Sequence, residues 1–95
     1  MIQDAYDVFI TTLANRNRLQ IITALQKKER NVTAIARQTG INQTTVSHGL
    51  QRLHACGFVT VEQRGKHRYY KLNKETIQPL MNLIDVHIKN HCLTI

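Results

Sequence analysis

The segment from Val32 to Gly57, VTAIARQTGINQTTVSHGLQRLHACG, leaves the chain few choices, because two helical apolar patterns meet across one glycine. Val32, Ile35, Ala36 and Thr39 recur at three- and four-residue spacing, so one face of a short helix packs inward. Gly40 supplies the left-handed backbone that ends such a helix, and Ile41 folds back onto the core as the chain turns. Asn42 opens the next helix, its side chain placed to accept from the amide of Thr44 or Thr45. At about 100° per residue, Val46, Gly49, Leu50, Leu53 and Cys56 share the core side, and Gly57 supplies the stop. The opposite side carries Thr44, Ser47, His48 and Gln51, with Gln43 and His54 at one edge and Thr45 and Arg52 at the other. That side is polar, short-chained and free of acid. A solvated helix face more usually mixes Glu with Lys, whereas hydroxyl, amide and imidazole groups suit hydrogen bonding to base edges and phosphates. The expectation is a helix-turn-helix whose second helix enters a DNA major groove.

At these residues the chain resembles the ArsR/SmtB family of winged-helix repressors. The family's recognition segment typically runs Leu, Ser, Gln, Ser, Thr, Val, Ser, Arg or His, His, Leu, where this chain has Ile41, Asn42, Gln43, Thr44, Thr45, Val46, Ser47, His48, Gly49 and Leu50. Leu13-Ala14-Asn15-Arg16-Asn17-Arg18-Leu19 is similar to the family's Leu-Ala-Asp-Pro-Thr-Arg-Leu opening, with Arg16 in place of proline. Gly57-Phe58-Val59 through Tyr69-Tyr70-Lys71-Leu72 resembles its wing. The resemblance covers most of positions 6 to 90. Gly49 departs from the usual His. A helical glycine costs roughly 1 kcal/mol against alanine, so the position points to a local bend or a close packing contact.

Ninety-five residues make one domain with a modest core, to which a partner subunit would add appreciably. The net charge of +7 points to a polyanionic partner, and the absence of Trp speaks against a base-stacking platform for single strands. Met1-Ile2-Gln3-Asp4-Ala5 lacks the features of a signal peptide, and no apolar run approaches the roughly 20 residues of a membrane helix, so a cytoplasmic protein without membrane contact is expected. Cys56 and Cys92 lack Cys-x-x-Cys spacing and suggest neither a disulfide framework nor a zinc knuckle. Cys56, on the core side of its helix, reads as a small hydrophobe.

Along the rest of the chain, Tyr6, Phe9, Ile10 and Leu13 form one stripe of a first helix. Asn15 can cap a second, in which Leu19, Ile21, Ile22, Ala24 and Leu25 leave little polar surface, as in a buried central helix. Its end, Lys27-Lys28-Glu29-Arg30, favourably opposes the negative helix terminus. After the helix-turn-helix (32–57), Val59 and Val61 alternate with Thr60 and Glu62, a Gly65-centred tip follows, and Arg68 to Leu72 alternate again. This hairpin (58–72) gathers Arg64, Lys66, His67 and Arg68, which fits a wing on the adjacent minor groove or its phosphates. Asn73 can cap a last helix (74–93), where Ile77, Leu80, Met81, Ile84, Ile88 and Ile95 share a stripe with no later element to cover it. In a chain with so small a core, the expected cover is the same helix of a second copy, with Tyr6 and Phe9 of the first helix beside it. The resemblance implies the same, since ArsR-like proteins dimerise through their terminal helices. Paired recognition helices would then meet successive major-groove faces about 34 to 36 Å apart, on an imperfect inverted repeat.

The resemblance also implies a sensor, since family members commonly release DNA on binding a metal. One common site places cysteines where this chain has Asn31 and Thr33, and so is absent here. Another begins with an Asp-x-His pair early in the last helix; Asp85-Val86-His87 matches it, while its second half would fall beyond Ile95. His87 and His91, about 40° apart on a helix, form a chelating pair for zinc or another divalent transition metal. Asp85 lies about 160° from His87 and joins them only through partner ligands or a frayed helix.

The reading is therefore a mainly α chain, α-α-α-α-β-β-α, a winged helix-turn-helix that dimerises through its terminal helices. It would bind double-stranded DNA through Thr44, Ser47, His48 and Gln51, with Gln43, Thr45 and Arg37 on the backbone and Arg64, Lys66, His67 and Arg68 in the wing. The alternative is a winged-helix module that binds protein. No phosphate loop and no nucleophile–base pair supports an enzyme.

Overall fold

The computed structural model describes the backbone of residues 2–92. Four helices, α1 (Ile2–Leu13), α2 (Arg16–Lys27), α3 (Val32–Thr39) and α4 (Gln43–Ala55), precede a hairpin of β1 (Val59–Arg64) and β2 (His67–Leu72), and α5 (Ile77–His91) closes the order. Ile95, part of the expected terminal stripe, lies outside the described residues.

The core forms around α2. Its Ile21, Ile22 and Leu25 pack with Ile35 of α3, Val46, Leu50 and Leu53 of α4, Phe58, Val59 and Leu72 of the hairpin, and Ile77 and Met81 of α5. Phe9 brings α1 in by stacking on Phe58, with ring centroids 4.9 Å apart. Three asparagines start the helices that surround the turn. Asn15 Oδ1 accepts from the Arg18 amide (3.0 Å), Asn31 Oδ1 from Ala34 (2.8 Å) and Asn42 Oδ1 from Thr45 (2.8 Å), each satisfying an orphan donor. Gly40 takes φ 76° and donates to Ala36 O (2.8 Å), ending α3 as expected.

Gly49 marks a close approach. A Cβ placed there would lie 2.8 Å from Ile21 Cδ1 and 3.7 Å from Arg18 Cγ, so the missing side chain lets α4 seat on α2. The junction is closed by a wholly buried hydroxyl. Thr12 Oγ1 donates to Val8 O (2.7 Å) and accepts from Arg52 Nε (3.2 Å), while Arg18 Nε donates to Thr12 O (2.7 Å), tying the end of α1 to α2 and α4.

The hairpin turns on Gly65 and Lys66, with Arg64 paired to His67. Gly65 has φ 61° and no non-glycine residue has positive φ among the described residues, which is the pattern of a two-residue type II′ turn. The strands thus run to the tip rather than stopping before it. Cross-strand pairs share a face, so Val59/Leu72, Val61/Tyr70 and Gln63/Arg68 form the inner face, and Thr60/Lys71, Glu62/Tyr69 and Arg64/His67 the outer one. A one-residue bridge fixes the hairpin to the body: Arg30 N donates to Tyr70 O (3.0 Å) and Tyr70 N to Arg30 O (2.8 Å). Arg30 also donates from Nε to Ala24 O (3.0 Å), in keeping with a basic end to α2.

Two expectations for the C-terminal part are corrected. Asn73 does not cap α5, because its amide is used to close the hairpin base: Nδ2 donates to Gly57 O (3.1 Å) and Oδ1 accepts from Glu75 N (2.9 Å). A turn intervenes and α5 starts at Ile77 rather than at 74. Ile77 and Met81, assigned to a dimer stripe, are buried in the protomer's own core, and Phe9, assigned with them, packs against it. Ile84 is half-buried against the core, and Tyr6, Val8, Ile10, Leu83, Val86 and Ile88 remain exposed.

Arg64 is clamped on the outer face. Its guanidinium binds both carboxylate oxygens of Glu29, bonds Glu62 at 2.8 Å, and lies 4.9 Å from the centre of the Tyr69 ring. Hydrogen bonds from Arg64 hold the carboxyls of Glu29 and Glu62 below their ordinary value, partly opposed by desolvation.

Gly49→Ala gains about 1 kcal/mol of helix propensity but forces Ile21 to move in a packed core, at about 1–3 kcal/mol, so denaturant unfolding should show no gain and a loss of up to about 2 kcal/mol. Ile21→Val removes the clashing methyl at about 0.5–1.5 kcal/mol, and the double variant should be more stable than the sum of the two predicts; simple additivity would mean there is no clash. For the clamp, side-chain carboxyl shifts in an NMR pH titration should give midpoints for Glu29 and Glu62 below that of a free Glu, about 4.3, and Arg64→Ala should return both toward it. With the folded values depressed, the clamp's contribution is present above the unfolded value and is lost as pH falls through the folded one.

Candidate nucleic-acid interface

Because Val46, Leu50 and Leu53 are buried, the opposite side of α4 is fixed outward. Gln43, Thr44, His48 and Gln51 are exposed there, and Thr45 and Ser47 are half-buried. Ser47 and Gln51 form one wall of a cleft of about 520 Å³. The facing wall is the hairpin, contributing Gln63, Lys66, His67, Arg68 and Tyr70, and the start of α3 closes one end with Asn31 and Thr33. No lining residue is acidic. Arg37 is exposed on α3, outside this lining.

Of the cationic groups expected in the wing, Lys66, His67 and Arg68 reach the cleft. Arg64 does not. His67, its cross-strand partner, reaches the cleft from the tip, whereas the Arg64 guanidinium is held against Glu29 and Glu62, which match its charge. Gln63 was missed in the sequence because it carries no charge; the antiparallel register, which sets it opposite Arg68, is the signal that identifies it. Tyr70 and the pair Asn31 and Thr33 reach the cleft through the Arg30 bridge, a contact without a sequence signature.

Arg52, at the edge of the reading face, bends back to Thr12. Cys56 is half-buried beside it, with Sγ 3.5 Å from Thr12 Oγ1, so it is more than an apolar filler. The Thr12 contact lowers its thiol pKa, with Arg52 and Arg18 adding to the effect and burial opposing it.

The expected metal ligands separate. His87 and His91 stack one helical turn apart, with ring centroids 4.6 Å apart. Asp85 faces α2 instead, where Oδ2 accepts from Gln26 Nε2 (2.9 Å). Among the described residues no three His, Cys, Asp or Glu side chains converge, whereas a zinc site takes three or four protein ligands, so these residues do not by themselves fit the metal. No described helix is long and apolar enough to cross a membrane.

The family pattern of bacterial regulatory proteins of the arsR family matches residues 15–61. An HTH-type transcriptional regulator of Mycobacterium tuberculosis is 42% identical over 79 residues, which are 83% of this chain and 35% of that protein. A transcriptional repressor SmtB homolog of Synechocystis is 27% identical over 81 residues, 85% of this chain and 61% of that protein. The chain therefore spans about a third of the first relative and three fifths of the second. Among solved structures, the homodimeric winged helix-turn-helix DNA-binding domain of a possible ArsR-family regulator from Mycobacterium bovis superposes with a TM-score of 0.86. It is 38% identical, and the match covers 95% of this chain and 83% of that one. With its α-α-α-α-β-β-α order, its helix-turn-helix and its wing, the chain belongs to the ArsR family of bacterial regulatory proteins.

Proposed function

We infer that the protein is a homodimeric regulator, acting as a repressor, that binds double-stranded DNA at an imperfect inverted repeat. The observation that carries this reading is the acid-free cleft between the polar side of α4 and the inner face of the wing. Thr44, Ser47, His48 and Gln51 enter the major groove, Gln43 and Thr45 meet phosphates at the start of α4, and Arg37 adds a backbone contact. Lys66, His67, Arg68 and Gln63 form the wing contact. Repression is supported by the relative named a transcriptional repressor. Dimerisation is supported by the homodimeric Mycobacterium bovis domain and by the apolar side chains left exposed on both terminal helices, Tyr6 and Ile10 on α1 and Leu83, Val86 and Ile88 on α5.

The test is fluorescence anisotropy against a duplex selected from a random library. Binding should saturate at two protomers per duplex and weaken steeply with salt; an absence of sequence-selective binding would bring the protein-binding module forward. Gln51→Ala should cost about 1–3 kcal/mol and relax preference at one base pair. Lys66→Ala should weaken all sequences alike and reduce the log–log salt slope by about 0.9 per protomer. Arg64→Ala should leave that slope unchanged, since its charge is already matched; a drop equal to that of Lys66→Ala would place Arg64 on a phosphate.

A further inference from the structure

Four lysines converge at a place to which no operator contact is assigned. Lys27 and Lys28 at the end of α2, Lys71 on β2 and Lys74 in the turn before α5 line one cleft of about 370 Å³. The one acid on its wall is Glu29, whose two carboxylate oxygens are both taken by Arg64. Among the described residues the close ion pairs all belong to Arg64, and Glu29 acts on Lys71 and Lys74 only at longer range.

Local structure accounts for half of this cluster. Lys27 and Lys28 oppose the negative end of α2, but Lys74 stands just before the N-terminus of α5, where a cation is disfavoured. Lys71 comes from a third element and adds a like charge to the same wall. Like charges so gathered repel one another in the free protein, and a polyanion relieves the repulsion.

The cleft shares no lining residue with the one that α4 lines. Lys71 pairs with Thr60 on the outer face of the hairpin, whereas Arg68 and Tyr70 border the recognition cleft on the inner face. The lysines therefore form a second cationic surface, separate from the α4 cleft. The lining also favours phosphate over an acidic peptide. Its apolar members, Leu25 and Leu72, are each 3% exposed and offer no pocket for the buried anchor on which peptide interfaces depend. Lysine supplies a point charge suited to phosphate rather than the planar fork that holds carboxylates.

We propose that this lysine cleft binds the phosphate backbone of DNA flanking the operator, beyond the contacts made by α4 and the wing. The inference rests on the DNA-binding reading above. Its test compares the salt dependence of binding to two duplexes, one ending at the two half-sites and one carrying about one further helical turn at each end. The proteins are the wild type and a Lys28→Gln/Lys71→Gln/Lys74→Gln variant, with thermal midpoints compared to verify folding.

At about 0.9 per phosphate contact, the wild-type slope should be steeper on the long duplex by about 2 to 3 per protomer. The variant should lose that difference and keep wild-type binding to the short duplex. Equal wild-type slopes on the two duplexes, or a long-duplex slope that the variant leaves unchanged, would overturn the proposal. Equal slopes together with polyglutamate binding that the variant loses would overturn it in favour of an acidic protein segment. No selective binding to either duplex would overturn the DNA-binding reading as well.

Discussion

The seating of α4 on α2 governs the rest of the molecule. Ile21 is wholly buried and sits where a side chain at position 49 would be, so the depth at which α4 lies depends on a missing methyl. Glycine costs helix stability at this position, and the contact with Ile21 is what offsets it. Once α4 is seated, Val46, Leu50 and Leu53 point inward and the direction of its polar side is no longer free. Thr12 fixes the same junction from α1, through hydrogen bonds that change the surroundings of Arg52 and Cys56.

The wing depends on that arrangement at one remove. A two-stranded hairpin is at best marginal alone, and this one is held at three levels. Asn73 closes its base, the Arg30 bridge borders its middle, and Arg64 ties its outer face to Glu29 in the loop between α2 and α3. All three run to the body that also carries α4, so the width of the cleft between α4 and the hairpin is set by short-range contacts of the hairpin rather than by its strand pairing. The same attachments sort its charges. Cations near one another in the chain are sent to opposite faces, and only those on the inner face and at the tip border α4.

Most of the fold was legible because it is written in local patterns. The apolar phases of α3 and α4, the glycine between them and the caps at Asn15 and Asn42 each act within a few residues, and the structure contains them. What was not legible depends on pairs distant in sequence. Gly49 could be marked as anomalous, but Ile21 could not be named as its cause. Arg64 looked equivalent to Lys66 and Arg68 until strand register separated them and Glu29, 35 residues away, claimed its charge. Ile77 and Met81 share a stripe with Ile84 and Ile88, and helical angle alone cannot tell which end of such a stripe the chain itself covers. The bond of Asp85 to Gln26 shows what its side of α5 faces, a contact 59 residues apart that the spacing to His87 does not reveal.

The three asparagine caps bear on the field that a nucleic acid would meet. An aspartate at Asn31 or Asn42 would satisfy the same amides, yet its charge would cancel part of the positive potential at the start of the helix. An amide leaves that potential intact beside Thr33 and Thr44, and it has no proton to gain on acidification. The helix starts on this side of the molecule therefore keep both their geometry and their attraction for anions across a range of pH in which carboxylate caps would lose their charge.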